Sequence, residues 1–203
     1  MTIDKKKIVD TVRSIKLEEG KDGLIKIFGV YLTFMYTDFY NDFSYEFLFS
    51  AEKEIGEYAI ESIEGLLIHA AQECGLETMN AVMQSQEWRS IVEPLISTSN
   101  DRVEAIVEIV NAFGWGNVHV KSLVPGEELT LIAYDSYEAN GYLKEYGRSD
   151  RPRCYMLRGV AGSIMDLVYG DRPFPLNLET YQAVQTKCIT MGDEYSEFYV
   201  TKV

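Results

Sequence analysis

The chain has 203 residues, of which 46% are apolar and 25% charged, with only 15 glycines and 5 prolines. That composition excludes collagen-like, low-complexity and fully disordered chains and is long enough for one sizeable core. Thirty-two acidic against nineteen basic side chains leave a net charge of -13, which repels polyanions, so neither nucleic acid nor an anionic membrane surface is expected as a partner.

The first residues, with the basic run Lys5-Lys6-Lys7, lack the apolar core of a signal peptide. Residues 1–23 read as a short helical lead-in, and 24–203 as a single domain. The stretch 24–35 is nearly apolar, but Lys26 and Thr33 interrupt it and it falls short of the roughly 20 apolar residues that a bilayer span takes. A soluble, cytoplasmic chain is expected. Residues 24–32 fit a strand or a buried helix, and periodicity does not decide between them. From Phe28 to Phe49 the chain carries ten aromatic residues. Such a payload can be core, dimer interface or the wall of an apolar ligand cavity.

Helical spacing is strongest over 51–74, where Ala59, Ile60, Ile63, Leu66, Leu67, Ala70 and Cys74 share a face. This makes Cys74 a buried small hydrophobe and leaves His69 at the surface. Residues 77–96 look helical but irregular. Asp101 and Glu104 have capping-box spacing before another helix, which ends at Gly114-Trp115-Gly116. The period then changes to two: Val118 and Val120 alternate with His119 and Lys121, Pro125-Gly126 turns, and Leu129, Leu131 and Ala133 return, a β-hairpin. Asp135 and Glu138 mark a helix start. A second helix runs from about Arg153 to Tyr169, with Gly159, Gly162 and Asp166 on one face. Glycine inside a helix costs about 1 kcal/mol relative to alanine, so a strand, a helix or a ligand is expected to come close there. The last 25 residues alternate again around a turn at Met191–Glu194. The expected fold class is α+β: an antiparallel sheet of two hairpins packed against helices, behind a helical N-terminal half.

The sequence holds no phosphate-binding loop, dinucleotide fingerprint, Gly-x-Ser-x-Gly elbow, His-Glu-x-x-His or Cys-x-x-Cys. Two histidines exclude a His-rich metal site, and three cysteines are too few and too sparse for a disulfide framework, which points to a reducing compartment. No residue is assigned a catalytic role.

Three ordered stretches carry a resemblance: Phe47 to Gly56; Ala112-Phe113-Gly114-Trp115-Gly116 before a Val-x-Val strand; and Tyr134 to Ala139 continuing through Cys154 and Arg158–Gly162 to Lys187–Asp193 and Glu197-Phe198. Together, over about residues 24–202, they resemble the 4-vinyl-reductase-type or hydrocarbon-binding domain, related in fold to TRAPP vesicle-tethering subunits and, more distantly, to haem nitric-oxide-sensing domains. The resemblance implies a homodimer that holds a small apolar or aromatic molecule in an internal cavity between a curved sheet and its helices. The domain serves as effector sensor in phenol-sensing transcription activators, where a separate part or protein relays the signal. Tyr134, Tyr155, Arg158, Gly159 and Gly162 are the expected ligand-binding residues. The alternatives are a TRAPP-like dimeric scaffold without ligand and an accessory protein of vinyl-group reduction. Against reduction, the chain shows no recognisable nicotinamide or flavin site, and an enzymatic role is not the expectation.

The resemblance also implies a zinc site. Of its four ligand positions, Cys154 and Cys188 match, whereas a glutamate position is Gln185 and a cysteine position is Ser196. Neutral amide and hydroxyl oxygens are poor zinc donors beside thiolates, so weak zinc binding or none is expected, with the two cysteines as close reduced thiols if the site is empty.

Overall fold

A computed structural model describes residues 3–15 and 25–203. The end of the lead-in, its boundary at 23/24, and Leu24 lie outside these residues. Helix α1 (Lys5–Ser14) starts at Asp4, whose carboxylate accepts the Lys7 N–H at 3.0 Å, and it buries Ile8 and Val12. The ambiguous segment is a hairpin of two short strands, β1 (Ile25–Ile27) and β2 (Val30–Leu32). Phe28 and Gly29 turn it, both with positive φ (52° and 74°), as a two-residue hairpin turn whose twist matches the strands requires. The Phe28 ring is fully buried, 5.9 Å from that of Phe113.

Two helices occupy the region where one was expected around 51–74. Helix α2 (Thr37–Ile55) stops at Gly56, whose φ of 98° a side chain rarely adopts, and α3 (Tyr58–Gln84) follows. The irregular stretch is the end of α3, then α4 (Gln86–Ile91) capped by Ser85, then a single 3-10 turn. Helix α5 (Ser99–Ala112) does begin with a capping box, three residues earlier than the spacing suggested: the Thr98 hydroxyl accepts the Asp101 N–H, and Asp101 reaches back to the Thr98 N–H.

Strands β3 (Gly116–Val124) and β4 (Glu128–Ser136) form the first expected hairpin, and β5 (Tyr181–Lys187) and β6 (Ser196–Lys202) the second. They join through β4 and β6 into one antiparallel sheet of order β3-β4-β6-β5. Between the hairpins lie α6 (Tyr137–Tyr146) and α7 (Tyr155–Tyr169). The α6 cap is Ser136 rather than Asp135: its hydroxyl accepts the Ala139 N–H at 3.1 Å. The fold is α+β, and α5 and α7 cover one face of the sheet through Val107, Val110, Leu157, Ala161 and Ile164 against Val118, Leu131 and Phe198.

Helix α3 lies across the outer side of α7. The two approach closely because Gly75, Gly159 and Gly162 have no Cβ. One added at Gly159 would sit 2.7 Å from Ala71 Cβ and 2.7 Å from Gln72 N, and nearer still to the Ile68 carbonyl oxygen; one at Gly162 would meet the Gln72 amide. That amide is buried and donates to Asp166 Oδ2 at 2.6 Å and to the Tyr181 carbonyl at 2.8 Å. The glycine face of α7 is thus a helix–helix contact, one of the alternatives the sequence leaves open.

Candidate functional site

Between the sheet and its helices the side chains of α5, α7, β3, β4 and β6 pack closely. The void lined there by Val107, Leu131, Leu157, Ile164 and Phe198 measures about 10 Å³, scarcely one water. The roomier space lies next to that void, with Val110 and Val160 lining both. A cleft of about 500 Å³ opens between the strap 31–37, Tyr40 at the start of α2, the middle of α3 (Cys74, Gly75, Thr78, Met79), Val160 of α7, and the α5–β3 junction at Phe113, Gly114 and Trp115, with Tyr137 at its side. Ligand pockets run from about 300 to 1,000 Å³, with mostly apolar walls and a few polar groups, and this cleft fits that description.

Local chemistry explains why these residues meet. Helix α5 cannot continue past Gly114, which has φ of 84°, and the chain turns directly into β3. The Trp115 carbonyl accepts the Tyr137 N–H, which ties the end of α5 to the start of α6. The Trp115 and Tyr137 rings stand edge to face at 5.7 Å, and Tyr137 and Tyr40 do so at 5.6 Å. Burial, then the nearby Glu138 carboxylate, pushes both phenols above their ordinary value. They are neutral at physiological pH and can give or take one hydrogen bond each, and Trp115 adds an indole N–H.

Glu138 is itself buried and accepts the N–H groups of Met156 at 2.8 Å and Leu157 at 3.0 Å, at the start of α7. Burial outweighs those bonds and raises its carboxyl to about 7.

The five expected ligand residues lie elsewhere; none lines the cleft. Tyr134 stands on the outer face of the sheet, between His119 and Tyr195. Tyr155 is buried in a satisfied network, donating to Glu64 at 2.8 Å and accepting from Arg153 at 3.0 Å. Arg158 donates to the Ala183 carbonyl at 2.6 Å. Gly159 and Gly162 are closed by α3. Cys74, expected in the core, is exposed along the cleft wall, and His69 is half-exposed and 2.9 Å from Glu179. Trp115 was legible only as an aromatic between two glycines that end a helix.

The four positions of the implied zinc site do converge. Cys154 Sγ lies 3.9 Å from Cys188 Sγ and 3.8 Å from Ser196 Oγ. Yet the Gln185 amide oxygen already accepts the Cys154 N–H at 3.2 Å, and the Ser196 hydroxyl accepts the Ile189 N–H at 3.2 Å. Two thiols with two neutral, already engaged oxygens do not complete a tetrahedral zinc site. Within the pair, Cys188 is held below its ordinary value by the hydrogen bond from Cys154 and then by Thr190, while Cys154 is pushed well above. Among the described residues no group of three or more His, Cys, Asp and Glu side chains could hold a metal, and no helix is long and apolar enough to cross a membrane.

No family model matches the chain. The phenol regulator MopR of Acinetobacter guillouiae is 36% identical over 61 residues, 30% of this chain but 10% of MopR, so the chain spans a small part of that relative's length at most. Among solved structures, the chain is similar to the phenol-responsive sensory domain of the transcription activator PoxR, solved with phenol. The TM-score is 0.73 at 14% identity, covering 100% of this chain and 92% of that one. It is also similar to subunit 3 of a trafficking protein particle complex from Naegleria fowleri, solved covalently bound to palmitic acid. Here the TM-score is 0.55 at 14% identity, covering 82% and 95%. At that identity these likenesses establish a shared fold and nothing finer.

Proposed function

We propose that this chain is a cytoplasmic sensor module of the 4-vinyl-reductase type that holds a small aromatic molecule in the cleft beside Trp115. The observation that carries the reading is the cleft itself: about 500 Å³, walled by Tyr31, Phe34, Tyr40, Phe113, Trp115 and Tyr137. The likeness to a phenol-responsive domain and the short match to a phenol regulator support the aromatic class. In this reading an aromatic ring enters edge to face against the Trp115–Tyr137 pair, a favoured aromatic geometry. A ring hydroxyl exchanges hydrogen bonds with the phenols or the indole N–H. The ligand-binding residues are then Tyr40, Trp115 and Tyr137, in place of Tyr134, Tyr155, Arg158, Gly159 and Gly162. The signal passes to a separate protein or domain, zinc binding is weak or absent, and no catalysis is assigned.

Thermal unfolding with phenols, fatty acids and tetrapyrroles is the test. A phenol at a hundred times its Kd stabilises by about 2.7 kcal/mol, a rise of roughly 5–10 °C in Tm for a chain of this size. Trp115→Phe keeps the ring and removes the N–H, and should cut the shift. Stabilisation by fatty acids alone would move the ligand class to acyl chains; no shift with any class leaves the cleft without a ligand and favours the scaffold alternative.

A further inference from the structure

Two thiols of the chain take no part in the cleft. Cys154 and Cys188 are fully buried and stand 34 positions apart in sequence, with their sulfurs 3.9 Å apart. An element end places each of them. Cys154 caps the first turn of α7, and Cys188 follows β5 directly and opens the turn that leads to β6. Side chains hold both backbones: Gln185 Oε1 accepts the Cys154 N–H at 3.2 Å, and Asp193 Oδ2 accepts the Cys188 N–H at 2.8 Å. Apart from one another, the hydrogen-bonding neighbours of the sulfurs among the described residues are hydroxyls. Thr190 Oγ1 lies 3.0 Å from Cys188 Sγ, and Ser196 Oγ lies 3.8 Å from Cys154 Sγ. The third thiol, Cys74, is exposed on the cleft wall. The pair therefore has two sulfurs in reach of each other and too few donors for zinc.

We propose that Cys154 and Cys188 are a dithiol–disulfide couple, closed by a hydroperoxide, that braces the start of α7 to the end of β5. Bonded sulfurs stand about 2.05 Å apart, so the two have about 2 Å to close, a distance that rotation of the side chains spans. Cys188 takes hydrogen bonds from Cys154 and Thr190 and is the attacking sulfur. Its thiolate attacks hydrogen peroxide: an S–O bond forms, the O–O bond breaks and hydroxide leaves, which gives a sulfenic acid. The Cys154 sulfur then attacks that sulfur, the S–S bond forms, the S–O bond breaks, and the departing oxygen takes the thiol proton as water. Two thiols and one hydrogen peroxide become one disulfide and two waters. Cys188 belongs to a turn whose residues Met191 to Glu194 are exposed, so local opening of that turn admits an oxidant little larger than water. In a reducing compartment such a bond is transient and reports oxidant, where a structural disulfide would be out of place. The couple stands independently of the ligand reading above.

The experiment uses the unaltered full chain. Cys74 is first alkylated with iodoacetamide while burial shields the other two thiols, a chelator removes adventitious metal, and hydrogen peroxide is added. The intact mass should fall by two hydrogens, and a non-reducing peptide map should join Cys154 to Cys188. The bond closes a loop across 34 positions, so Tm should rise by roughly 5–10 °C and return on adding dithiothreitol. Cys188→Ser treated in the same way should lose no hydrogens and gain no stability; the reduced and oxidised forms of the unaltered chain decide the matter even where that variant does not fold. Two thiols that remain free in denaturant after peroxide, or oxygen gained at one sulfur without a link to the other, overturn the proposal. Protection of the pair by stoichiometric zinc would make it a metal ligand set and overturns the proposal as well. A linked pair without a rise in Tm keeps the couple and overturns the brace.

Discussion

Adding one methyl group at Gly159 tests how α3 and α7 meet. In a free helix, alanine is favoured over glycine by about 1 kcal/mol. Here the new Cβ lands 2.7 Å from Ala71 Cβ and 2.7 Å from the Gln72 backbone nitrogen, and against the Ile68 carbonyl. Two of these are backbone atoms of a long helix, so no flexible side chain can yield, and the helices must separate. Overpacking of this kind costs about 1–3 kcal/mol. Separation also loosens the Gln72 bonds to Asp166 and Tyr181, each worth about 1 kcal/mol or somewhat more. Gly159→Ala should therefore destabilise by about 2 kcal/mol net of the propensity gain. Gly65, on α3 itself, is the control: an added Cβ meets nothing within 4 Å, so Gly65→Ala should stabilise by about 0.5–1 kcal/mol. Urea unfolding of both variants measures the difference. A neutral or stabilising Gly159→Ala would show that the two helices are not in backbone contact, and would return the glycine face to the list of ligand surfaces.

Other consequences are equally specific. The Glu138 carboxyl has its folded value raised from 4.5 to about 7, so the folded state holds a proton that the unfolded chain gives up. Its contribution is complete below pH 4.5 and is lost as pH climbs through about 7, a swing of about 3 kcal/mol. The stability difference between the unaltered chain and Glu138→Gln, in which other titrations cancel, should fall by that amount across the window; a flat difference would mean the carboxylate stays ionised on its two N–H groups. Replacing Gln185→Glu and Ser196→Cys together supplies two anionic donors beside Cys154 and Cys188 and should create tight zinc binding, read by competition with a chromophoric chelator. No gain would mean that the four positions do not share a metal centre.

The sheet was legible because each strand reads on its own. Val118, Val120, Leu129, Leu131 and Ala133 declare their faces by alternation, and the Pro125-Gly126 turn fixes which strands pair. The helix starts were legible to within a few residues, since Ser, Thr and Asp compete for the same cap and spacing cannot rank Thr98 against Asp101, or Ser136 against Asp135. Cys74 shows where such reading fails. Its stripe holds only at the start: Ala59, Ile60 and Ile63 are buried, but Leu66, Ala70 and Cys74 are exposed, and farther along α3 the buried face is Ala71, Gln72, Gly75, Leu76 and Met79. The buried face of α3 thus turns as its neighbours change from α2 to α7, which a single periodic stripe cannot show.

The aromatic segment fails in the opposite sense: ten rings in 22 positions look like core, yet the core was already filled by α5, α7 and the sheet. The void between sheet and helices is about 10 Å³, and Phe34, Phe39, Phe43 and Phe47 are exposed. Phe34 walls the cleft instead, and Phe39, Phe43 and Phe47 lie along the exposed face of α2. Exclusion from a closed core is a property of volumes summed over the whole chain, which no local pattern of residues encodes.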